Sequence, residues 1–196
     1  ISLISYSCSN KVDQELENNS YLSLDLREGA GRKVKIYKLG ANTHKPVDSL
    51  IISDDNTAFI AFHIDHDIFL KIRNSENNSI TFLAKENDTA IIEANYFNFS
   101  KYELDGSEEN RQISLLNEKT QEFLRKIDRI AAITRDSAGS NNYANIKLKL
   151  DKEYRESFEQ FKDFSTNFIK ENKGSLVSML ALTNQLGYNF YTFHPV

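Results

Sequence analysis

The sequence has one cysteine, one methionine, two prolines and no tryptophan among its 196 residues. A lone cysteine, Cys8, excludes an intrachain disulfide framework. It also excludes a redox dithiol, which needs one attacking and one resolving thiol. An excess of positive charge is missing too: 24 Lys+Arg stand against 28 Asp+Glu, for a net charge of -4 and a pI near 5.6. That balance argues against nucleic acid as a partner, because phosphate contacts need a basic footprint. No apolar run approaches the ~18 residues of a membrane span. Internal repeats and low-complexity tracts are absent.

Familiar catalytic patterns are missing as well. Gly29-x-Gly31 lacks the spacing and the following helix of a phosphate loop. There is no G-x-S-x-G nucleophile elbow. Asp54-Asp55-Asn56 starts like a calcium loop, but Phe59 and Asp65 occupy the positions that need Gly and Glu, so it reads as a turn between strands.

What is present is ordinary globular composition, with 40% hydrophobic and 27% charged residues, which excludes wholesale disorder. A single body of this size would bury about 70% of the chain's surface. Residues 20–104 read as β. Leu22, Leu24 and Leu26 alternate with Ser23 and Asp25, the period of a half-buried strand. Further strands are expected at Val34–Leu39, Val47–Ser53, Thr57–Ile64, Ile68–Arg73, Ser79–Ala84, Thr89–Tyr96 and Lys101–Leu104, separated by Gly, Asn and Asp clusters. Spacings of about ten residues suggest an antiparallel sandwich or barrel.

After Asp105-Gly106-Ser107 the period changes. Ser107 reads as an N-cap with Glu108 and Glu109 in the first turn. Ile113, Leu116, Thr120, Phe123, Ile127, Ile130 and Thr134 make one apolar stripe along a helix of about 28 residues. A second helix carries Leu150, Tyr154, Phe158, Phe161, Phe164 and Phe168 and ends near Gly174. A third, capped by Ser175, is expected to present Leu176, Met179, Leu180 and Thr183 and to stop at Gly187. The two long helices read as an αα-hairpin, and their aromatic stripe as core. The expected architecture is therefore α+β: residues 1–19 a signal remnant and tether, 20–106 an antiparallel β-sandwich, 107–196 a helical unit that looks truncated.

Small residues before Cys8 resemble a bacterial lipoprotein signal, in which Cys8 becomes the acylated N-terminus; position -3 holds Ser5 rather than the preferred Leu. The other reading is a first strand with a buried free thiol. The order of further pieces carries a second resemblance. Val34-Lys35-Ile36-Tyr37-Lys38-Leu39, Asp88-Thr89-Ala90-Ile91-Ile92-Glu93, Tyr102-Glu103-Leu104-Asp105-Gly106-Ser107 and Phe168 to Ser178 together resemble the N-terminal domain of unknown function of lipid-anchored, thioredoxin-like proteins of Bacteroidota. In that family the domain precedes a catalytic domain of the TlpA/ResA type, also described as AhpC/TSA-associated. The resemblance implies a cell-envelope lipoprotein on the periplasmic side, held to a membrane through Cys8. It places the family's Trp-Cys-x-x-Cys site beyond Val196. It supplies no catalytic residue and no cofactor for this chain.

Three weaker chemistries remain. His63-Ile64-Asp65-His66-Asp67 is the densest group of metal-ligand types, with His63 and His66 as candidate ligands at an expected hairpin tip; a solvated acidic turn is the plainer reading. His44 and His194 are isolated. Asp48-Ser49-Leu50, Asp88-Thr89-Ala90 and Asp136-Ser137-Ala138 resemble the O-glycosylation acceptor of exported Bacteroidota proteins, and Ser137 is the one expected in an exposed loop. Asn18, Asn77, Asn87 and Asn98 begin N-x-Ser/Thr sequons, which matter only on a eukaryotic secretory route.

The expected function is a non-catalytic accessory region of a thioredoxin-like envelope lipoprotein. It would act as a spacer, and its sandwich or helical face would recognise client proteins or form a homodimer. The alternative is a stand-alone envelope lipoprotein that binds a glycan, a peptide or a protein and has no redox activity.

Overall fold

A computed structural model describes residues 19–40 and 43–182. Eight strands are followed by three helices. The strands are β1 (Asn19–Arg27), β2 (Lys33–Leu39), β3 (His44–Ile51), β4 (Thr57–His63), β5 (Ile68–Ser75), β6 (Asn78–Ala84), β7 (Thr89–Asn95) and β8 (Asn98–Asp105). The helices are α1 (Glu108–Asp136), α2 (Tyr143–Glu171) and α3 (Val177–Leu182). The fold is α+β, with two four-stranded sheets and a helical hairpin. Sheet one has the order β4-β1-β7-β8 and sheet two the order β3-β2-β5-β6. The chain divides into two compact units, Ile1–Phe97 and Asn98–Val196.

Alternation decides which side chains enter the first unit's core. Leu22, Leu24 and Leu26 of β1 are buried together with Ala90, Ile92 and Ala94 of β7. Val34 and Ile36 of β2, Leu70 and Ile72 of β5, and Ile80 and Phe82 of β6 complete the core from sheet two. The intervening residues of each strand face outward.

The pairs β1–β4, β2–β3, β2–β5 and β5–β6 are antiparallel, but one pair is parallel. β1 pairs antiparallel with β4 but parallel with β7, with Leu22 opposite Ala90 and Leu26 opposite Ala94. Five strands lie between β1 and β7 in sequence, and only such a long connection lets two neighbours run the same way. The expected hairpin at Asp65-His66-Asp67 is also corrected. β4 belongs to sheet one and β5 to sheet two, so these residues cross between sheets. Phe62 and Ile64 stay buried up to the crossing and hold it against the core.

The crossing from β1 to β2 is fixed by residues far away in sequence. The Asn56 side-chain Oδ1 accepts from the amides of Gly29 (3.0 Å) and Ala30 (3.2 Å). Asn56 itself has φ 68°, a left-handed conformation that Asn tolerates. Gly29 is obligatory, since a Cβ there would lie 2.5 Å from the carbonyl oxygen of Leu26. The Asp54-Asp55-Asn56 segment is a turn between β3 and β4: Asp55 Oδ1 accepts from the Thr57 amide (3.2 Å) and hydroxyl (2.8 Å).

The second unit follows the helical period. Ser107 caps α1, its Oγ accepting from the Asn110 amide at 3.2 Å. Ile113, Leu116, Thr120, Phe123 and Ile130 form the buried seam. Across it α2 buries Leu150, Ser157, Phe161, Ser165 and Phe168. Phe123 stacks on Phe161 with centroids 4.9 Å apart. Two corrections follow from how the seam is filled. Tyr154 is 37% exposed and lies at the margin of the seam, and the small buried Ser157 and Ser165 fill positions within it. In α3, Val177 and Ala181 are fully buried while Met179 is 54% exposed, so the helix is rotated from its expected stripe. Thr183, Gly187, His194 and Cys8, with the tether at 1–18, lie outside the described residues.

Candidate functional site

Strands β2 and β5 put cations at alternate positions. Lys33 and Lys35 flank the buried Val34, and Lys71 and Arg73 flank the buried Ile72. All four therefore rise from the outer face of sheet two. The register then sets neighbours. One rung reads Ser49–Lys35–Arg73–Ser79 and the next Pro46–Tyr37–Lys71–Thr81. Lys35 and Arg73 sit directly opposite each other, an arrangement that costs stability.

Counted over whole strands, sheet two carries six Lys and Arg residues (Lys33, Lys35, Lys38, Lys45, Lys71, Arg73) against one carboxylate, Asp48. This occurs in a chain of net charge -4. Asp48 is occupied locally, its Oδ1 accepting from the Ser49 amide at 2.6 Å. Among the described residues, none of Lys33, Lys35, Lys71 and Arg73 forms an ion pair.

The charges feel one another. Burial of its stem and the neighbouring Arg73 guanidinium push the Lys71 ammonium below the usual lysine range. His44 on β3 is lowered from its ordinary value by burial first, then by Lys71 and Arg73. The Arg73 guanidinium lies over the Tyr37 ring, 4.6 Å from its centroid, with Nη2 3.5 Å from the hydroxyl. This is a flat surface of fixed positive charge rimmed by the hydroxyls of Ser49, Ser79 and Thr81. Its charge is suited to binding anions.

The outer face of sheet one differs. Its rungs read Thr57–Asp25–Glu93, Phe59–Ser23–Ile91 and Ala61–Tyr21–Thr89. Phe59 is 63% exposed and packs beside Tyr21, with centroids 5.8 Å apart. Here the like-charged neighbours are the carboxylates Asp25 and Glu93.

A groove in the helical unit has a volume of about 230 Å³ and a floor of Phe123, Phe161 and Phe164. Its two lysines share one carboxylate, with Glu122 3.2 Å from Lys119 and 3.4 Å from Lys126.

The residues singled out from sequence are scattered. His63 Nε2 lies 3.7 Å from Asp65, both largely exposed, and His66 is exposed on the sheet-to-sheet crossing. Among the described residues no group of three or more His, Cys, Asp or Glu side chains converges as a metal centre requires. Ser137 is the C-cap of α1 rather than a free loop residue, and its Oγ donates to the Ile133 carbonyl at 2.7 Å. Cys8 lies outside the described residues. Sequence reasoning missed Lys35, Tyr37, Lys71 and Arg73. The alternation of cations in each strand was a readable signal; the pairing of β2 with β5 was not.

Comparison with protein-family models, with curated proteins and with solved structures finds no match to this chain. No described helix is long and apolar enough to cross a membrane.

Proposed function

We propose that this chain is a non-catalytic recognition module whose working surface is the outer face of sheet two. The observation that carries the reading is the Lys35–Arg73 rung with Lys33 and Lys71 beside it: four cations on a rigid face, two of them directly opposed, and no carboxylate paired with them among the described residues. An anionic partner would relieve that repulsion, and this supports the reading. In the setting that the family resemblance implies, the module is the N-terminal accessory region of an envelope thioredoxin-like lipoprotein anchored through Cys8, with the helical unit as spacer.

The test is titration of the full chain with a soluble polyanion, polyglutamate, followed by residue-resolved NMR. The expected shifts centre on Lys35, Tyr37, Lys71 and Arg73, and Lys35→Gln/Arg73→Gln abolishes them. Shifts confined to other surfaces, or unchanged by that variant, overturn the reading.

A second reading, client recognition, is favoured by the exposed Phe59 stacked on Tyr21, with the exposed Ile91 on the same rung across Ser23 of sheet one. Phe59→Ser should then weaken binding of an unfolded apolar polypeptide. Equal binding by the variant removes that role.

A further inference from the structure

The β3 edge of sheet two adds an apolar component to the charge. Ile51 is 71% exposed and pairs with Lys33, at the corner of the cationic face. Val47 is also exposed, at the bulge where the β2–β3 register shifts between Ile36 and Tyr37. Pro46 stands next to it, opposite Tyr37. An edge strand carrying exposed aliphatic side chains invites aggregation unless something covers it.

The chemistry selects among anionic partners. An acidic polysaccharide would need an open aromatic face for its sugar rings, but the Tyr37 ring is already covered by Arg73. A freely soluble polyanion gains nothing from Ile51 or Val47. An anionic bilayer uses both, its phosphates against the cations and its acyl boundary against the aliphatic corner. Sheet one's outer face, with Asp25 and Glu93, lies on the far side of the sandwich, where it would be repelled from the same surface.

We propose that the outer face of sheet two, with the β3 edge, is a docking surface for an anionic phospholipid bilayer. This rests on the reading of sheet two as the binding face and adds the identity of what it binds. It also changes the spacer role, because the sandwich would lie on the membrane instead of standing off from it. A single acyl chain gives only marginal attachment, so a second contact of this kind strengthens an anchor at Cys8.

The experiment is co-sedimentation of the unacylated full chain with vesicles of phosphatidylcholine alone or mixed with phosphatidylglycerol, at low and high salt. Binding is expected only to the anionic vesicles and is lost at high salt, as surface charge is screened. Lys35→Gln/Arg73→Gln should lower partitioning about thirty-fold, from roughly 1 kcal/mol per cation at the surface. Ile51→Ser should lower it severalfold without changing the salt dependence. Thermal melts of both variants confirm that they remain folded. Equal binding to both vesicle types, or no effect of the cation variant, overturns the proposal. Binding of polyglutamate without binding of vesicles overturns it while leaving the recognition reading intact. Binding of neither overturns both.

Discussion

The two outer faces of the sandwich are built by the same rule and carry opposite chemistry. Sheet one sets Asp25 beside Glu93, and sheet two sets Lys35 beside Arg73. Each puts like charges at adjacent positions where pairing of opposite charges would have been more stable. On sheet one the acidic pair is bordered by the apolar Phe59 and Ile91; on sheet two the basic pair is bordered by Lys33 and Lys71. The interior alternation is shared and fixes the fold, so the outward positions are free to differ. Their difference is therefore what the proposed binding role rests on.

The largest effect is expected from breaking what the two faces share. Leu24 is almost fully buried beneath sheet one. Leu24→Ala should cost about 2–5 kcal/mol through lost burial and the cavity left behind. The midpoint of urea denaturation should fall accordingly, and anion binding at sheet two should be lost in step with unfolding. If binding survives where the fold does not, the rigid face is not what binds.

Next comes the crossing that sets one sheet over the other. Asn56→Ala removes the acceptor for two amides, Gly29 and Ala30, and leaves a left-handed φ to a residue that disfavours it. A loss of about 1–3 kcal/mol is expected from the unsatisfied groups alone. The same denaturation measurement checks it. A change within error would mean that water replaces Asn56 without cost.

How much of this was legible depended on the range of the interaction. All eight strands and three helices follow from local periodicity and turn signals, although β3 starts at His44 instead of Val47 and β8 at Asn98 instead of Lys101. Pairing was not local. Nothing in the strand containing Leu22 says that its neighbour will be the parallel β7, or that His66 sits on a crossing instead of a hairpin tip. The cationic face fell between the two cases. Lys33-x-Lys35 and Lys71-x-Arg73 are readable as same-face pairs, but the opposition of Lys35 to Arg73 requires the β2–β5 register. Ser157 and Ser165 were overlooked for the opposite reason: hydrophobicity marks Phe158 and Phe164, yet close helix approach favours the small residue within the seam.

A smaller effect sharpens the comparison of the faces directly. Lys35→Glu turns the opposed cations into an ion pair with Arg73 and keeps the Arg73–Tyr37 stack. It should raise stability by about 0.2–1 kcal/mol while removing anion binding. Asp25→Lys, opposite Glu93, should raise stability by a similar amount and leave anion binding at sheet two intact. Calorimetric melts and polyglutamate titration of the two variants, side by side, separate the contributions. If both variants lose binding, the faces are not independent. If neither gains stability, the like-charge rungs cost nothing and lose their value as a functional signal.

The smallest effect is a titration. His44 is held below its ordinary value by burial and by the positive charges of Lys71 and Arg73. The folded state therefore takes up its proton less readily than the unfolded state. Stability from this group is fully present above the unfolded value of about 6.5 and falls as pH drops below it, levelling off under the folded value. Lys71→Gln removes one of the repelling charges, so the His44 ring proton resonances should titrate at higher pH in the variant than in the wild type. A bound polyanion should move the wild-type titration the same way, because it neutralises the same charges. Stationary His44 resonances under both perturbations would show that the cations of sheet two do not act on one another, and the argument for an anionic partner would lose its electrostatic basis.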